Sequence, residues 1–174
     1  MPNICILFSP AKRAYDFEIL SAGLTSSDEE KVNTSIQVNR ISFSESVFSA
    51  RVNWNCDTDE KSTAKVLIWH CRNGRESDYT LTPYQIPNQG LKTFVDTYYH
   101  DMLYLNVANC SNLPPYVDLS DLKKEYIFDN CPLTGDGFPY YLPMGYYKFY
   151  QEIKAEVTLT ISFLIKVTPT KSLG

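Results

Sequence analysis

The sequence predicts a mainly β protein, a two-sheet β-cup or sandwich with one helix near residues 90–104. Three observations point there. Several segments alternate apolar and polar side chains with the period of a half-buried strand. Aromatic residues, which favour strands, make up 14% of the 174 residues, with 13 Tyr, 9 Phe and 2 Trp. One stretch carries apolar residues at helical spacing instead. The length suits a single domain with a sizeable core, and 44% hydrophobic with 21% charged residues is near the globular average.

The elements follow in chain order. Ile4-Cys5-Ile6-Leu7-Phe8 is a short apolar run without the basic start of a standard signal peptide. Residues 1–13 are therefore read as a truncated leader or a tail, residues 14–168 as one domain and residues 169–174 as a second tail. Residues 14–20 alternate, as do residues 34–43, where Ile36, Val38 and Arg40 share a face. Residues 46–54 place Phe48, Ala50, Val52 and Trp54 on one side. Asp57 to Lys61 is a polar turn, and residues 64–70 form a strand with Val66 and Ile68 on one face. Residues 78–82 are a short strand that Pro83 and Pro87 interrupt.

After Pro87 the period changes. Leu91, Phe94, Val95, Tyr98, Met102 and Leu105 recur at helical spacing, with Asn88 placed as the N-cap. Asn109 to Asp121 is loop, Tyr126 to Phe128 a short strand, and Cys131 to Gly145 a turn-rich connection. Two strands close the chain. Residues 145–153 put Tyr147, Phe149 and Ile153 on one face. Residues 156–168 alternate Val157, Leu159, Ile161, Phe163, Ile165 and Val167 with mostly polar neighbours, and are expected near the middle of a sheet.

Composition narrows function. A net charge of −4 and only two basic doublets, Lys12-Arg13 and Lys123-Lys124, argue against binding to a phosphate backbone. No apolar run is long enough to span a membrane. No Gly-x-Ser-x-Gly, Walker-type loop or Cys-x-x-Cys occurs, and His70 and His100 lack partners at metal-ligand spacing. The expectation is a protein with no enzymatic activity, no metal and no cofactor.

With Cys5 assigned to the leader, Cys56, Cys71, Cys110 and Cys131 remain, and four cysteines allow three pairings. The short-range choice is Cys56–Cys71 with Cys110–Cys131. Asn33-Thr34-Ser35 and Asn109-Cys110-Ser111 match the glycosylation pattern, so Asn33 and Asn109 are candidate acceptors. Disulfides and acceptors together point to an extracellular, secreted glycoprotein.

Three further patterns lie in the C-terminal third. They are Cys110-Ser111-Asn112-Leu113-Pro114, Gly135-Asp136-Gly137-Phe138-Pro139, and Leu142-Pro143-Met144-Gly145-Tyr146-Tyr147-Lys148 leading into the closing strand. This arrangement resembles the insect Che-type chemosensory proteins, from about Tyr15 to Val167 and most specifically over residues 131–167. Those proteins in turn resemble the ganglioside-activator lipid-binding proteins, which have a β-cup fold. The activator carries more cysteines, one of them in its closing strand, where residues 156–167 have none.

The resemblance implies a secreted binding protein for a hydrophobic or lipid-like ligand, with a role in chemosensory (pheromone or gustatory) perception and a sensory receptor as partner. Alternation and helical spacing nominate the lining of an apolar pocket: Phe48, Val52, Val66, Ile68, Phe94, Tyr98, Met102, Tyr147, Phe149, Ile161 and Phe163. The competing reading is a receptor-interaction module with a filled core and no small-molecule ligand.

Overall fold

The computed structural model describes residues 13–170. Residues 1–12 of the expected leader, Cys5 among them, and residues 171–174 of the expected tail lie outside the described residues. The fold is two antiparallel sheets and one helix, as the alternation predicts. Its strands are β1 (Tyr15–Ser26), β2 (Val32–Arg40), β3 (Ser46–Trp54), β4 (Thr63–Cys71), β5 (Thr80–Leu81), β6 (Ile86–Gly90), β7 (Lys124–Cys131), β8 (Gly145–Lys154) and β9 (Thr158–Pro169). The larger sheet runs β1-β9-β8-β4-β5, with β6 also on β4, and the smaller runs β2-β3-β7.

The strongest alternating segment, β9, sits inside the larger sheet, paired on one side with β1 and on the other with β8. Its odd-numbered residues face the other layer. Val32, Val52 and Trp54 of the small sheet pack with Val157 and Leu159, and Phe48 and Ala50 pack with Ile19 of β1. At the other flank the layer is a helix. Ala64, Val66 and Ile86 pack with Leu91 and Phe94.

That helix, α1, covers residues 91–107 and differs from its sequence expectation in two ways. Gly90 is the N-cap, because Asn88 is taken into β6. The middle, Val95–Tyr104, is wound with i→i+5 bonds; the Leu105 N–H, for example, donates to His100 O. The wider turns rotate the buried face away from the 3.6-residue spacing. Leu105, expected to face the core, is 40% exposed, while Tyr99, Asn106 and Val107 are buried.

Two small side-chain devices complete the sheets, one between the layers and one on an edge. β1 carries a bulge between Ile19 and Ser21. The Ser46 hydroxyl of β3 fills in there, accepting from Ile19 N at 3.0 Å and donating to Ile19 O at 2.7 Å. On the edge of β7, the Asn112 amide behaves like a strand. Its Nδ2 donates to Glu125 O at 2.8 Å, and its Oδ1 accepts from Ile127 N at 2.8 Å.

Of the two expected disulfides one forms, Cys110–Cys131, with the Cα atoms 5.4 Å apart. The Cys56–Cys71 bridge does not; both are free, buried thiols. Cys56 lies beside Val157, next to the β8–β9 turn. Cys71 is at the far end of β4, in register with Tyr146 at the start of β8. A nine-residue strand separates the two positions, roughly 25 Å of extended chain, whereas a disulfide needs Cα atoms within about 7 Å.

Candidate functional site

The larger sheet aligns its inward residues into rows across strands. Register places Ile68, Phe149, Phe163 and Ala22 in one row and Val66, Gln151, Ile161 and Leu24 in the next. The ends of this face are closed. Tyr147, Ile165 and Val167 are buried at one end, Leu159 at the other, and Val66 beneath α1. The centre is not closed. Ile68, Phe149, Gln151, Ile153, Ile161, Phe163, Ala22 and Leu24 all remain half-buried. In a solid sandwich the central residues of an inward face are the most buried, so this inversion shows the centre of the face left partly uncovered by the layer opposite.

The opposite walls show the same thing. Tyr98 and Met102 of α1 are half-buried against the same Val66–Phe94 cluster that Ile68 and Phe149 of the sheet pack on. Phe128 of β7 and Leu113 of the preceding loop are half-buried on the Phe48–Phe163 side. Aromatic edges line the uncovered centre. Phe48 meets Phe163 edge-on at 5.4 Å between centroids, and Phe149 lies 6.2 Å from Phe163.

The nominated pocket residues fall into two groups around this centre. Ile68, Tyr98, Met102, Phe149, Ile161 and Phe163 are half-buried and reach the uncovered centre. Phe48, Val52, Val66, Phe94 and Tyr147 are fully buried and back it. Tyr147 is also fixed from behind, its hydroxyl donating to Pro143 O at 2.7 Å, and burial pushes its phenol pKa upward. Four residues at the centre were not nominated: Ala22, Leu24, Ile153 and Gln151, the last of them two positions beyond Phe149 on the same strand face. Simple alternation along β8 would have found Gln151.

Two clefts with several charged residues in their linings lie at the end of the sandwich. One, of about 460 Å³, is lined among others by Asp57, Asp59, Ser62, Lys154 and Glu156. The other, of about 260 Å³, lies between Cys56–Thr58 and Leu119–Lys123. Their charges already satisfy one another. Lys31 bonds Glu156, and Lys123 Nζ lies 2.6 Å from Asp57 Oδ1. Those bonds hold both carboxyls below their ordinary values and both ammonium groups above theirs. Such pairs tie the loops on either side of these clefts together.

His70 and His100 serve neighbouring chain. His70 Nε2 is 2.9 Å from Met144 O, and the His100 ring stacks between Tyr104 and Tyr116. Among the described residues no group of three His, Cys, Asp or Glu side chains is placed to hold a metal, and no helix is long and apolar enough to cross a membrane. Both candidate glycosylation sites are exposed, Asn33 on β2 and Asn109 just past α1. The hydroxyl of the Asn109 triplet, on Ser111, is occupied with Val107 O at 2.8 Å.

No curated protein matches the sequence. The stretch that brings β4, α1, the Cys110–Cys131 bridge and the first half of β8 around the open centre, residues 64–149, is similar to the family described as "Protein of unknown function (DUF1091)".

Proposed function

We propose that this protein is a secreted, non-enzymatic carrier of an apolar, lipid-like ligand held between the larger sheet and the layer of α1 and β7. The observation that carries the reading is the inverted burial of the inward face. The residues that should be best packed are only half-buried, and nearly all are apolar. Pockets for small molecules are concave and mostly apolar, with few polar groups. Burying about ten methylenes there would contribute roughly 8 kcal/mol, near micromolar affinity before ordering costs. The likeness to the Che-type chemosensory proteins, most specific over residues 131–167, supports a role in detecting chemical signals, with a sensory receptor as the next partner. The Cys110–Cys131 bridge supports an extracellular setting.

Native mass spectrometry of protein taken from its own source tests the reading directly, since a retained ligand adds its mass. Met102→Trp tests it by mutation. A side chain filling open space should weaken uptake of Nile red, an uncharged apolar dye, and leave the melting temperature in place. In a filled core the same change would overpack and destabilise by about 1–3 kcal/mol. No uptake by the wild type, with a clearly destabilised variant, would favour the receptor-interaction module instead.

A further inference from the structure

We infer that Gln151 is the polar anchor of the cup and that it selects a neutral ligand carrying a hydroxyl or carbonyl oxygen over both a bare hydrocarbon and a carboxylate. The inference rests on the carrier reading and specifies its ligand. Gln151 lies in the inward row between Val66 and Ile161, with Phe149 and Ile153 on either side along β8. It is half-buried, and its side-chain amide makes no hydrogen bond to any described residue. The other inward amide, Asn106, is by contrast fully buried and bonded to four groups.

Solvent reaches the Gln151 amide when the face is empty, so a ligand that displaces that water must complete the amide itself or leave it unpaired. The amide offers a donor and an acceptor, matching a hydroxyl or an ester carbonyl. The inward positions paired with or adjacent to it on β4, β8 and β9 are Ala64, Val66, Ile68, Phe149, Ile153, Leu159, Ile161 and Phe163. They supply no cation, so a ligand carboxylate brought there would lose water without gaining a counter-charge.

The full chain, loaded with Nile red, tests this by displacement with dodecane, dodecanol, methyl dodecanoate and dodecanoate. Dodecanol or its ester counterpart should displace the dye at about tenfold lower concentration than dodecane, the size of one net hydrogen bond. Dodecanoate should be weaker than dodecanol. In Gln151→Leu, and in Gln151→Met as a second variant of similar volume, dodecane and dodecanol should fall within about twofold of each other, with the melting temperature unchanged or raised.

Equal displacement by dodecane and dodecanol in the wild type would overturn the anchor, as would discrimination that survives both substitutions, or dodecanoate proving the tightest of the four. If neither Nile red nor any of the four binds the wild type, the carrier reading itself fails, an outcome distinct from indiscriminate binding.

Discussion

Asn106 holds two distant pieces of chain together with one buried amide. Its Nδ2 donates to Met102 O at 2.8 Å and Asp136 O at 2.9 Å, and its Oδ1 accepts from Gly135 N at 2.8 Å and Thr134 Oγ1 at 3.3 Å. The loop it receives turns through Gly135 and Gly137 at positive φ. A Cβ on Gly137 would come within 2.9 Å of Asp101 O, so the Gly-Asp-Gly sequence is needed for both backbone shape and close approach to α1. Asn106→Ala should lower unfolding stability by about 2–3 kcal/mol, since it leaves the Gly135 N–H buried without an acceptor. Asn106→Leu should cost as much despite restoring volume. A denaturant midpoint unchanged in either variant would show that the loop is held by other means. Sequence reading passed over Asn106 because a polar residue at the end of a helical pattern looks like surface. Only the wide turns of α1 bring it inward.

At the scale of elements, strands with unbroken alternation were read well, and those with a local irregularity were not. β3, β4, β8 and β9 lie within a residue or two of their expected bounds. β1 was expected to stop at residue 20 but runs to Ser26. Its bulge moves the inward set from Tyr15, Phe17 and Ile19 to Ala22, Leu24 and Ser26, breaking the period. β6 was missed because Pro87 argues against a strand, yet Pro87 falls at the register shift opposite β4, where no ladder bond is lost. The Cys56–Cys71 pairing failed for a related reason: separation along the chain carries no sign of a full strand lying between two cysteines. The placement of β9 between β1 and β8 gives a direct prediction. Deleting Thr158–Pro169 should abolish cooperative unfolding, because both neighbours lose their partner and every hydrophobic cluster but the one around Leu91 loses a buried member or a packed neighbour. A truncated chain with a sharp thermal transition would contradict it.

The whole molecule stores its alkaline limit in buried phenols. Burial pushes Tyr15 and Tyr126 up to about 12 from the ordinary 10.0, and it pushes Tyr99 and Tyr147 upward as well. In the unfolded chain these groups lose their protons near 10, and in the fold they keep them longer. The folded state therefore binds more protons across that window, and stability, constant below about pH 10, should fall steadily toward about pH 12. Urea midpoints compared at about pH 9 and about pH 11 check this; equal midpoints would mean the phenols ionise in place. The two-sheet architecture was legible in sequence as faces, since the strand residues that alternation put on the inward side lie there. Whether those faces touch or stand apart depends on how the sheets are spaced, which periodicity does not encode. The pairing of the first strand with the last has a further consequence for biosynthesis. Tyr15 to Ser26 finds its ladder only in residues near the other end of the chain, with Tyr15 opposite Pro169 and Ser26 opposite Leu159. At roughly 5–20 residues per second, β1 emerges on the order of ten seconds before β9 is synthesised. During that interval its inward residues and unpaired edge need shelter from other nascent chains, so this protein should depend on a holding chaperone during translation more than after it.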